Sequence, residues 1–385
     1  DPINVSHGYT TGPSCWQRPT NLPPESRPRA CASTDATSAA SDLRASIIVI
    51  THNEAGCALR RTLLSVLSPA RTAASLLGEV VVMDDASSQP ARETIADPGL
   101  ALDGRIRWLR SESRLGVARA RTAAARTAAF PVLCFLDAHC EPQAGWLAPL
   151  VALLAGSPHA VALPVIEPIE PHSFTYVPGP RPEHPLRGVI ADWNLTFGWD
   201  PLSEAEMAAR EARAPSFGGR GLEPVRSPAM AGGVFAMRRE WFFGSGGYDP
   251  GLEVWGVENV EMALRVWMCG GELLTLPCSR VGHVFRSAQP FTWPNGSGAL
   301  TVRRNAWRVA AVWMDEVADA VGLGIDAKAR AALHGAPGLD DRHALRRRLR
   351  CKTFRWYLEE IFPQHPPLPA GFRWSTPGST RPQRS

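Results

Sequence analysis

Two side chains that can bind a metal ion stand one residue apart in the segment FLDAHC: Asp137 and His139. The apolar residues 132–136 come directly before them and predict a buried strand. Because side chains at positions i and i+2 lie on one face of a strand, we expect both to point into the same cleft. A hard carboxylate oxygen together with an imidazole nitrogen suits Mn²⁺ or a similar divalent ion.

Two residues elsewhere in the chain strengthen this interpretation. Asp85 closes another predicted strand in VVVMDD, and His283 closes a later one in SRVGHVF, where it would supply a third ligand. The alternative for His283 is a structural histidine that is satisfied by protein hydrogen bonds. No glycine-rich phosphate loop follows the first predicted strand, so a bound diphosphate would depend on the metal ion for neutralisation.

The elements around these residues alternate between strand and helix. Predicted strands cover residues 46–50, 79–85, 105–110 and 132–136, and predicted helices cover residues 57–68, 116–129 and 258–270. This order predicts an α/β fold with a mostly parallel sheet and crossover helices. Ligands of such sheets bind beyond the carboxyl ends of the strands, where Asp85 and Asp137 would meet.

Composition sets the limits of the folded part. The chain has 385 residues and a formal net charge of +4, which is too weakly basic to indicate nucleic acid. No apolar stretch reaches the ~20 residues of a membrane span, and an upstream anchor or signal is left open because the chain begins at Asp1.

Residues 1–44, rich in Pro, Ser, Thr and Ala, predict a largely irregular stem, and residues 366–385 predict a tail. Residues 167–228 predict an irregular excursion that holds a partner.

The motifs, taken together, resemble those of one family. They are THNEA, VVVMDDASS, FLDAHCE, DWNLTFGWD, SPAMAGGVFAMRREWF, YDPGLEVWGVENVEMALRVWMCGG, PCSRVGHVFR and CKTFRWYLEEIFP. In content, order and spacing they resemble the polypeptide N-acetylgalactosaminyltransferases, retaining glycosyltransferases of the GT-A fold. The resemblance implies a Rossmann-like, mostly parallel central sheet flanked by helices, in a catalytic domain over residues 45–365. Within it, residues 45–165 would bind the nucleotide, residues 166–300 the acceptor and donor sugar, and residues 301–365 would form a C-terminal helical segment.

The same resemblance implies a reaction and a set of residues. GalNAc would pass from UDP-GalNAc to Ser/Thr hydroxyls of a polypeptide, with Mn²⁺ held by Asp137, His139 and His283. The implied contacts with the nucleotide and donor are Ile50, Thr51, Asp85, Arg114, Asp137, Ala138, Gly232, Gly233, Trp255, Arg286, Gln289 and Phe291. The implied catalytic residues are Glu258, Asn259, Trp255 and Arg286. Residues 284–298 would form a mobile lid over the donor.

Several of these residues have structural alternatives. Arg114 can instead pair with Glu112, and Trp255 can be a core residue. Glu258 can serve only to stabilise the start of the following helix. The Gly232–Gly233 pair can be a plain turn rather than a close approach of backbone to the sugar.

The sequence also departs from the family pattern. Val257 replaces a glycine of WGGEN, which leaves the donor open between GalNAc, galactose and GlcNAc. Gln289 and Phe291 stand where a His and a Tyr are usual in the lid, and Ile50 stands where Thr or Pro is usual near the uracil. Only about twenty residues follow EEIFP, so we expect no recognition of glycosylated acceptors through a ricin-like lectin domain. A non-protein acceptor and a non-catalytic sugar-nucleotide binding protein are the competing hypotheses.

The eight cysteines are interpreted through the same resemblance. It implies the disulfides Cys31–Cys278 and Cys269–Cys351, and hence an oxidising compartment such as the Golgi lumen, or secretion. We expect Cys57, Cys134 and Cys140 to be free and packed as small apolar groups, and Cys15 has no assigned partner. N-glycosylation patterns at Asn4, Asn194 and Asn295 agree with a secretory lumen.

Overall fold

A nine-stranded mixed sheet crosses the centre of the protein. The structure is a computed structural model that describes residues 3–4, 6–17, 27–28, 31, 43–177, 179–180, 184–217, 221–293, 296–321 and 335–374. The described strands are β1 (Ile3–Asn4), β2 (Tyr9–Thr10), β3 (Ala45–Thr51), β4 (Leu77–Asp84), β5 (Ile106–Arg110), β6 (Val132–Asp137), β7 (Cys140–Pro142), β8 (Ala160–Ile169), β9 (Leu186–Ile190), β10 (Phe197–Pro201), β11 (Val225–Arg226), β12 (Val234–Arg238) and β13 (Glu272–Val284).

The described helices flank this sheet or follow it. They are α1 (Pro13–Trp16), α2 (Gly56–Leu67), α3 (Ala91–Thr94), α4 (Pro98–Ala101), α5 (Val117–Thr127), α6 (Leu147–Gly156), α7 (Glu204–Arg213), α8 (Arg239–Gly244), α9 (Glu258–Met268), α10 (Gly298–Trp313), α11 (Val317–Val321), α12 (Leu339–Arg348) and α13 (Phe354–Trp356). A 3₁₀ turn (Ala214–Phe217) and a π turn (Tyr357–Ile361) complete the set.

The strand order is β11-β13-β8-β12-β6-β3-β4-β5, with β7 pairing β13. The β3, β4, β5 and β6 strands run parallel, and β8 and β13 are parallel to each other. Strand β12 lies antiparallel between β6 and β8. The prediction of an α/β fold with a mostly parallel sheet is confirmed.

Both faces of the sheet are buried, which is why its central strands are apolar throughout rather than alternating. Along β3, Ile47 and Val49 pack with helices α2 and α6, whereas Ile48 points to the opposite face. That opposite face is covered by helices α5, α9 and α10. Helix α5 is rich in alanine and therefore lies close to the sheet.

Residues 167–228 are more regular than predicted. Strands β9 and β10 form an antiparallel hairpin, with Phe197 opposite Ile190. Helix α7 begins at a capping box in which Ser203 and Glu206 exchange hydrogen bonds. The sequence reading followed the Pro and Gly content of this region and overlooked this local helix-start signal.

The described part of the predicted stem also differs from an irregular linker. Residues 6–17 pack onto the domain, and both Tyr9 and Cys15 are fully buried there. Tyr9 contacts the ring of Phe174 edge-on. Residues 18–26 and 32–42 of the stem, residues 375–385 of the tail and the pattern at Asn295 lie outside the described residues.

Three disulfides connect distant segments. Cys31–Cys278 and Cys269–Cys351 are present, so these two predictions are confirmed. The third, Cys15–Cys57, shows that the prediction of a free Cys57 was wrong. Cys57, in the first turn of helix α2, lies next to residues 6–17. The sequence around Cys57 alone does not indicate this contact. Cys134 and Cys140 are free and buried, as predicted.

Within the described residues, no helix combines the length and apolar character that a bilayer crossing requires.

The thiol count provides a test of this cysteine arrangement. Burial raises the pKa of the Cys134 and Cys140 thiols, so both should resist modification in the native protein. We expect a thiol reagent to titrate essentially no groups in the native state, two after denaturation without reductant, and eight after reduction. Four thiols in the denatured, unreduced protein would show that one of the three disulfides has not formed, and peptide mapping without reduction would identify whether it is Cys15–Cys57.

Candidate functional site

The site centres on three side chains at one edge of the sheet: Asp137, His139 and His283. Each offers a ligand atom, and these atoms lie within 4.8 Å of one another. His283 Nε2 is 3.4 Å from Asp137 Oδ2, and the two imidazole rings have centroids 4.7 Å apart. The structure therefore brings together the residues that sequence reasoning assigned to a metal ion.

The local geometry differs from the predicted strand face. Strand β6 ends at Asp137, and Ala138 and His139 form a tight turn into β7. The end of β13 then pairs antiparallel with β7, which places His283 opposite Cys140. The proximity of Asp137 and His139 thus comes from a turn rather than from i, i+2 spacing along one strand.

The cluster fits a divalent cation of the Mn²⁺ type. One carboxylate with two imidazoles is a mixed hard and borderline donor set that suits such an ion. His139 Nδ1 is engaged at 2.9 Å by Glu54, which leaves Nε2 for the ion. A Cβ on Gly233 would lie 2.6 Å from Asp137 Oδ2 and 3.4 Å from His283 Nε2. Glycine at this position therefore keeps the space beside the ligand atoms open.

Glu54 is a buried carboxylate that sequence reasoning did not assign. Its Oε2 accepts hydrogen bonds from His139 Nδ1 and, at 3.1 Å, from an Arg286 guanidinium N–H. Burial favours the neutral acid, but Arg286 and His139 outweigh it and lower the pKa of the Glu54 carboxyl to about 2. The signal was present in THNEA, a motif that was noted without a role for its acid.

Arg121 is a second residue that sequence reasoning missed. It projects from helix α5, fully buried, and donates to Asp137 Oδ1 at 2.8 Å and to the Tyr248 hydroxyl at 3.3 Å. Its guanidinium also lies 4.0 Å from Glu258 Oε1. Although burial opposes its charge, these neighbours raise its pKa above the ordinary value. A single arginine on the buried face of an alanine-rich helix was the available clue.

Glu258 and Asn259 open helix α9 beside this cluster. Glu258 Oε2 accepts the backbone N–H of Gly256 at 2.8 Å, so the carboxylate does stabilise the turn before the helix. Burial raises the pKa of the Glu258 carboxyl against the influence of Arg121. Asn259 Nδ2 donates to the carbonyl of Met230 at 2.8 Å. A Cβ on Gly232 would approach Asn259 Cβ to 3.1 Å, so the backbone at Gly232 lies close to the start of helix α9.

The turn before Glu258 is strained. Val257 has φ +60°, a left-handed conformation that branched side chains rarely adopt, and Val254 has φ +53°. The Val257 side chain is 6% exposed and belongs to the hydrophobic core. Asn305 holds the turn by donating to the carbonyls of Glu253 and Gly256.

Asp85 and Arg114 form an ion pair at the sheet edge, just beyond the end of strand β4. The Asp85 carboxylate accepts the backbone N–H groups of Leu115 and Gly116 and lies 3.0 Å from Arg114 Nε. The partner of Arg114 is thus Asp85 rather than Glu112. The Arg114 guanidinium also lies over the ring of Phe291, 5.1 Å from its centroid.

Three smaller predicted contacts line the same edge. Ile50 pairs with Asp137 across strands β3 and β6. Thr51 is buried, and its hydroxyl has no hydrogen-bond partner among the described residues. Ala138 is buried in the turn between Asp137 and His139.

Trp255 is 45% exposed, which excludes the core alternative for it. Its ring meets that of Trp293 edge-on at 6.5 Å, at the base of the segment predicted to form a lid. Gln289 is exposed in that segment, of which residues 294–295 lie outside the described part of the chain.

An apolar cavity of about 530 Å³ adjoins the cluster. Its walls include the exposed rings of Trp199 and Phe285, with Pro168 and Pro180. The Phe285 ring lies 4.7 Å from that of His283, so the cavity begins beside a candidate metal ligand.

Comparison with known proteins identifies two sequence families. The model of glycosyl transferase family 2 matches residues 46–243, and the model described as the N-terminal domain of galactosyltransferase matches residues 223–288. The first match covers half of the chain and contains Asp137 and His139. The second match contains His283.

Curated relatives and a solved structure agree with these matches. Polypeptide N-acetylgalactosaminyltransferase 4 of Caenorhabditis elegans is 42% identical over 90% of this chain and 55% of its own length. Polypeptide N-acetylgalactosaminyltransferase 11 of Xenopus tropicalis is 41% identical over 83% of this chain and 50% of its own length. The chain thus spans about half the length of the curated relatives it matches.

The crystal structure of GalNAc-T7 with UDP, GalNAc and Mn²⁺ superimposes with a TM-score of 0.72 and 35% identity, over 83% of this chain and 57% of that one. The chain therefore belongs to glycosyl transferase family 2 and is similar, over most of its length, to polypeptide N-acetylgalactosaminyltransferases.

Proposed function

We propose that this chain transfers GalNAc from UDP-GalNAc to Ser or Thr hydroxyls of a polypeptide, in the presence of Mn²⁺ and with retention of configuration. The observation that carries the proposal is the convergence of Asp137, His139 and His283 at the sheet edge. The similarity to polypeptide N-acetylgalactosaminyltransferases supports the choice of donor and acceptor.

Asp137, His139 and His283 would hold the ion, which supplies positive charge to neutralise the diphosphate as it leaves. Arg286 lies beside His139 through their shared partner Glu54, so its guanidinium is placed to bind the same diphosphate. Arg121 fixes the Asp137 carboxylate from the protein side. The site thereby presents positive groups to the leaving group.

On the other edge of the cleft, Asp85 and Arg114 would orient the uridine, with Thr51 offering a free hydroxyl. Glu258 and Asn259 begin helix α9, and Glu258 Oε1 lies 4.0 Å from the guanidinium of Arg121, the partner of Asp137. We assign both residues contacts with the donor sugar. Trp255, exposed at the base of the lid, would cover that sugar.

The apolar cavity next to His283 suits an acceptor chain. Its walls of aromatic rings and prolines would take apolar or proline side chains near the reacting hydroxyl, because such surfaces bind them with little desolvation penalty. This assigns acceptor binding to the cavity that strands β8 and β13 form with the β9–β10 hairpin and Phe285.

Retention is proposed to proceed by attack from the face that the diphosphate leaves, with a phosphate oxygen accepting the hydroxyl proton. The buried carboxylates around the cluster each already accept hydrogen bonds: Glu54 from His139, Asp137 from Arg121, and Glu258 from Gly256. Hydrogen bonds of this kind stabilise the charge on a carboxylate and so reduce its tendency to attack the sugar. Trapping of a covalent glycosyl-enzyme would contradict this step.

Three disulfides and the family similarity support a location in the secretory pathway, with the Golgi lumen as the proposed compartment.

Replacing Asp137 by Asn should remove a metal ligand while keeping the shape of the side chain. We expect release of UDP from UDP-GalNAc, with a Ser/Thr peptide and Mn²⁺ present, to fall more than about 100-fold. The same assay should be repeated with UDP-galactose and UDP-GlcNAc. Faster release of UDP from either one would replace GalNAc as the proposed donor sugar. Asp103→Ala, on an exposed turn, serves as the control and should keep full activity. Binding of Mn²⁺ and UDP by the wild-type chain without turnover of any donor would favour a non-catalytic binding protein.

Gly233→Ala tests the space beside the ligand atoms. The added methyl group would lie within 2.6 Å of Asp137 Oδ2, so we expect Mn²⁺ affinity to fall at least about 10-fold with the fold retained. Gly156→Ala is the matched control, because its new Cβ would meet no atom within 4 Å. Mn²⁺ affinity would be measured by titration. Equal affinity in both variants would show that the ion does not bind at this cluster.

Paired tryptophan variants test the assignment of the two sides of the cleft. Trp199→Ala should raise KM for the peptide about 10-fold, as loss of a large apolar contact implies, and leave KM for the sugar nucleotide unchanged. Trp255→Ala should raise KM for the sugar nucleotide and leave KM for the peptide unchanged. If both variants change only the donor KM, the apolar cavity is not the acceptor site.

A further inference from the structure

Residues 6–17 form an N-terminal clasp that is attached to the catalytic part at several points. The disulfide Cys15–Cys57 joins the clasp to helix α2. The backbone N–H of Thr10 donates to the carbonyl of Pro171 at 2.9 Å, and His7 Nε2 lies 3.1 Å from the carbonyl of Asn53. The clasp thus covers the loop that follows β3.

Tyr9 connects the clasp to the interior of the domain. Its ring is fully buried against Phe174, and its hydroxyl donates to Glu54 Oε1. Because the other oxygen of Glu54 accepts from His139 and Arg286, one carboxylate joins the clasp to a candidate metal ligand and to a candidate diphosphate ligand.

The clasp also touches the base of the lid. Gly8 has φ +70°, and a Cβ there would lie 2.6 Å and 2.5 Å from the backbone nitrogens of Ser287 and Ala288. These two residues directly follow Arg286 in the chain. The clasp therefore contacts Glu54 directly and the two residues that follow its ion-pair partner Arg286.

We propose that Tyr9 is a positioning residue for the metal centre and acts through Glu54. A ligating imidazole depends on the hydrogen bond at its other nitrogen for its tautomer and ring orientation. Glu54 provides that bond to His139, and Tyr9 fixes the rotamer of Glu54. The disulfide holds Tyr9 in place by fastening the clasp. This inference rests on the proposed function.

The test is the dissociation constant of Mn²⁺, measured by electron paramagnetic resonance on the full chain without nucleotide. Tyr9→Phe keeps the buried ring and removes only the hydroxyl, so we expect Mn²⁺ to bind about 3- to 10-fold more weakly. Tyr357→Phe is the matched control: its fully buried hydroxyl donates to the carbonyl of Pro228 at 2.9 Å, away from the cluster. It should lower thermal stability similarly and leave Mn²⁺ affinity unchanged.

A double-mutant cycle tests whether Tyr9 acts through Glu54. Glu54→Gln should weaken Mn²⁺ binding about 10- to 100-fold, and adding Tyr9→Phe to it should cause little further change. Equal affinities for the wild type and Tyr9→Phe, or fully additive effects, would overturn the inference alone. Absence of Mn²⁺ binding in the wild type would overturn the proposed metal centre together with it.

Discussion

The pairing of β7 with the end of β13 is the constraint on which the site depends. Asp137 and His139 come from one turn, whereas His283 lies 146 residues beyond Asp137 in the chain. The short ladder that sets His283 opposite Cys140 is what makes three separate side chains into one cluster. Strand β13 is positioned in turn by its long parallel pairing with β8. The site is thus a consequence of sheet register over the second half of the domain.

Charge compensation is the second requirement, because Glu54, Arg121 and His139 are buried and Asp137 is only 28% exposed. Asp137 is paired with Arg121, and Glu54 is paired with Arg286. Breaking such a buried pair leaves an uncompensated charge, which typically costs about 3–5 kcal/mol. The same pairs orient the ligands, so stability and ligand geometry depend on the same contacts.

Much of the fold and part of the site could be predicted from sequence. The strands at residues 46–50 and 132–136 are long apolar runs, and doubly covered sheets require such runs. The three clustered ligands were found because Asp137 and His283 lie at the ends of apolar strands and His139 follows Asp137 by two residues. Glu54 and Arg121 were not found, because each is important through a contact with a residue that is distant in the chain. His139 lies 85 positions after Glu54, and Asp137 lies 16 positions after Arg121. Likewise, the Cys15–Cys57 disulfide depends on how the chain end folds back, which no local pattern encodes.

Val257 carries two opposing effects at one position. Its left-handed backbone costs about 1–2 kcal/mol, which a glycine would not incur. Its buried side chain, however, contributes packing that a glycine would lose. Replacing Val257 by glycine would therefore relieve the backbone and leave a void in the core at the start of helix α9.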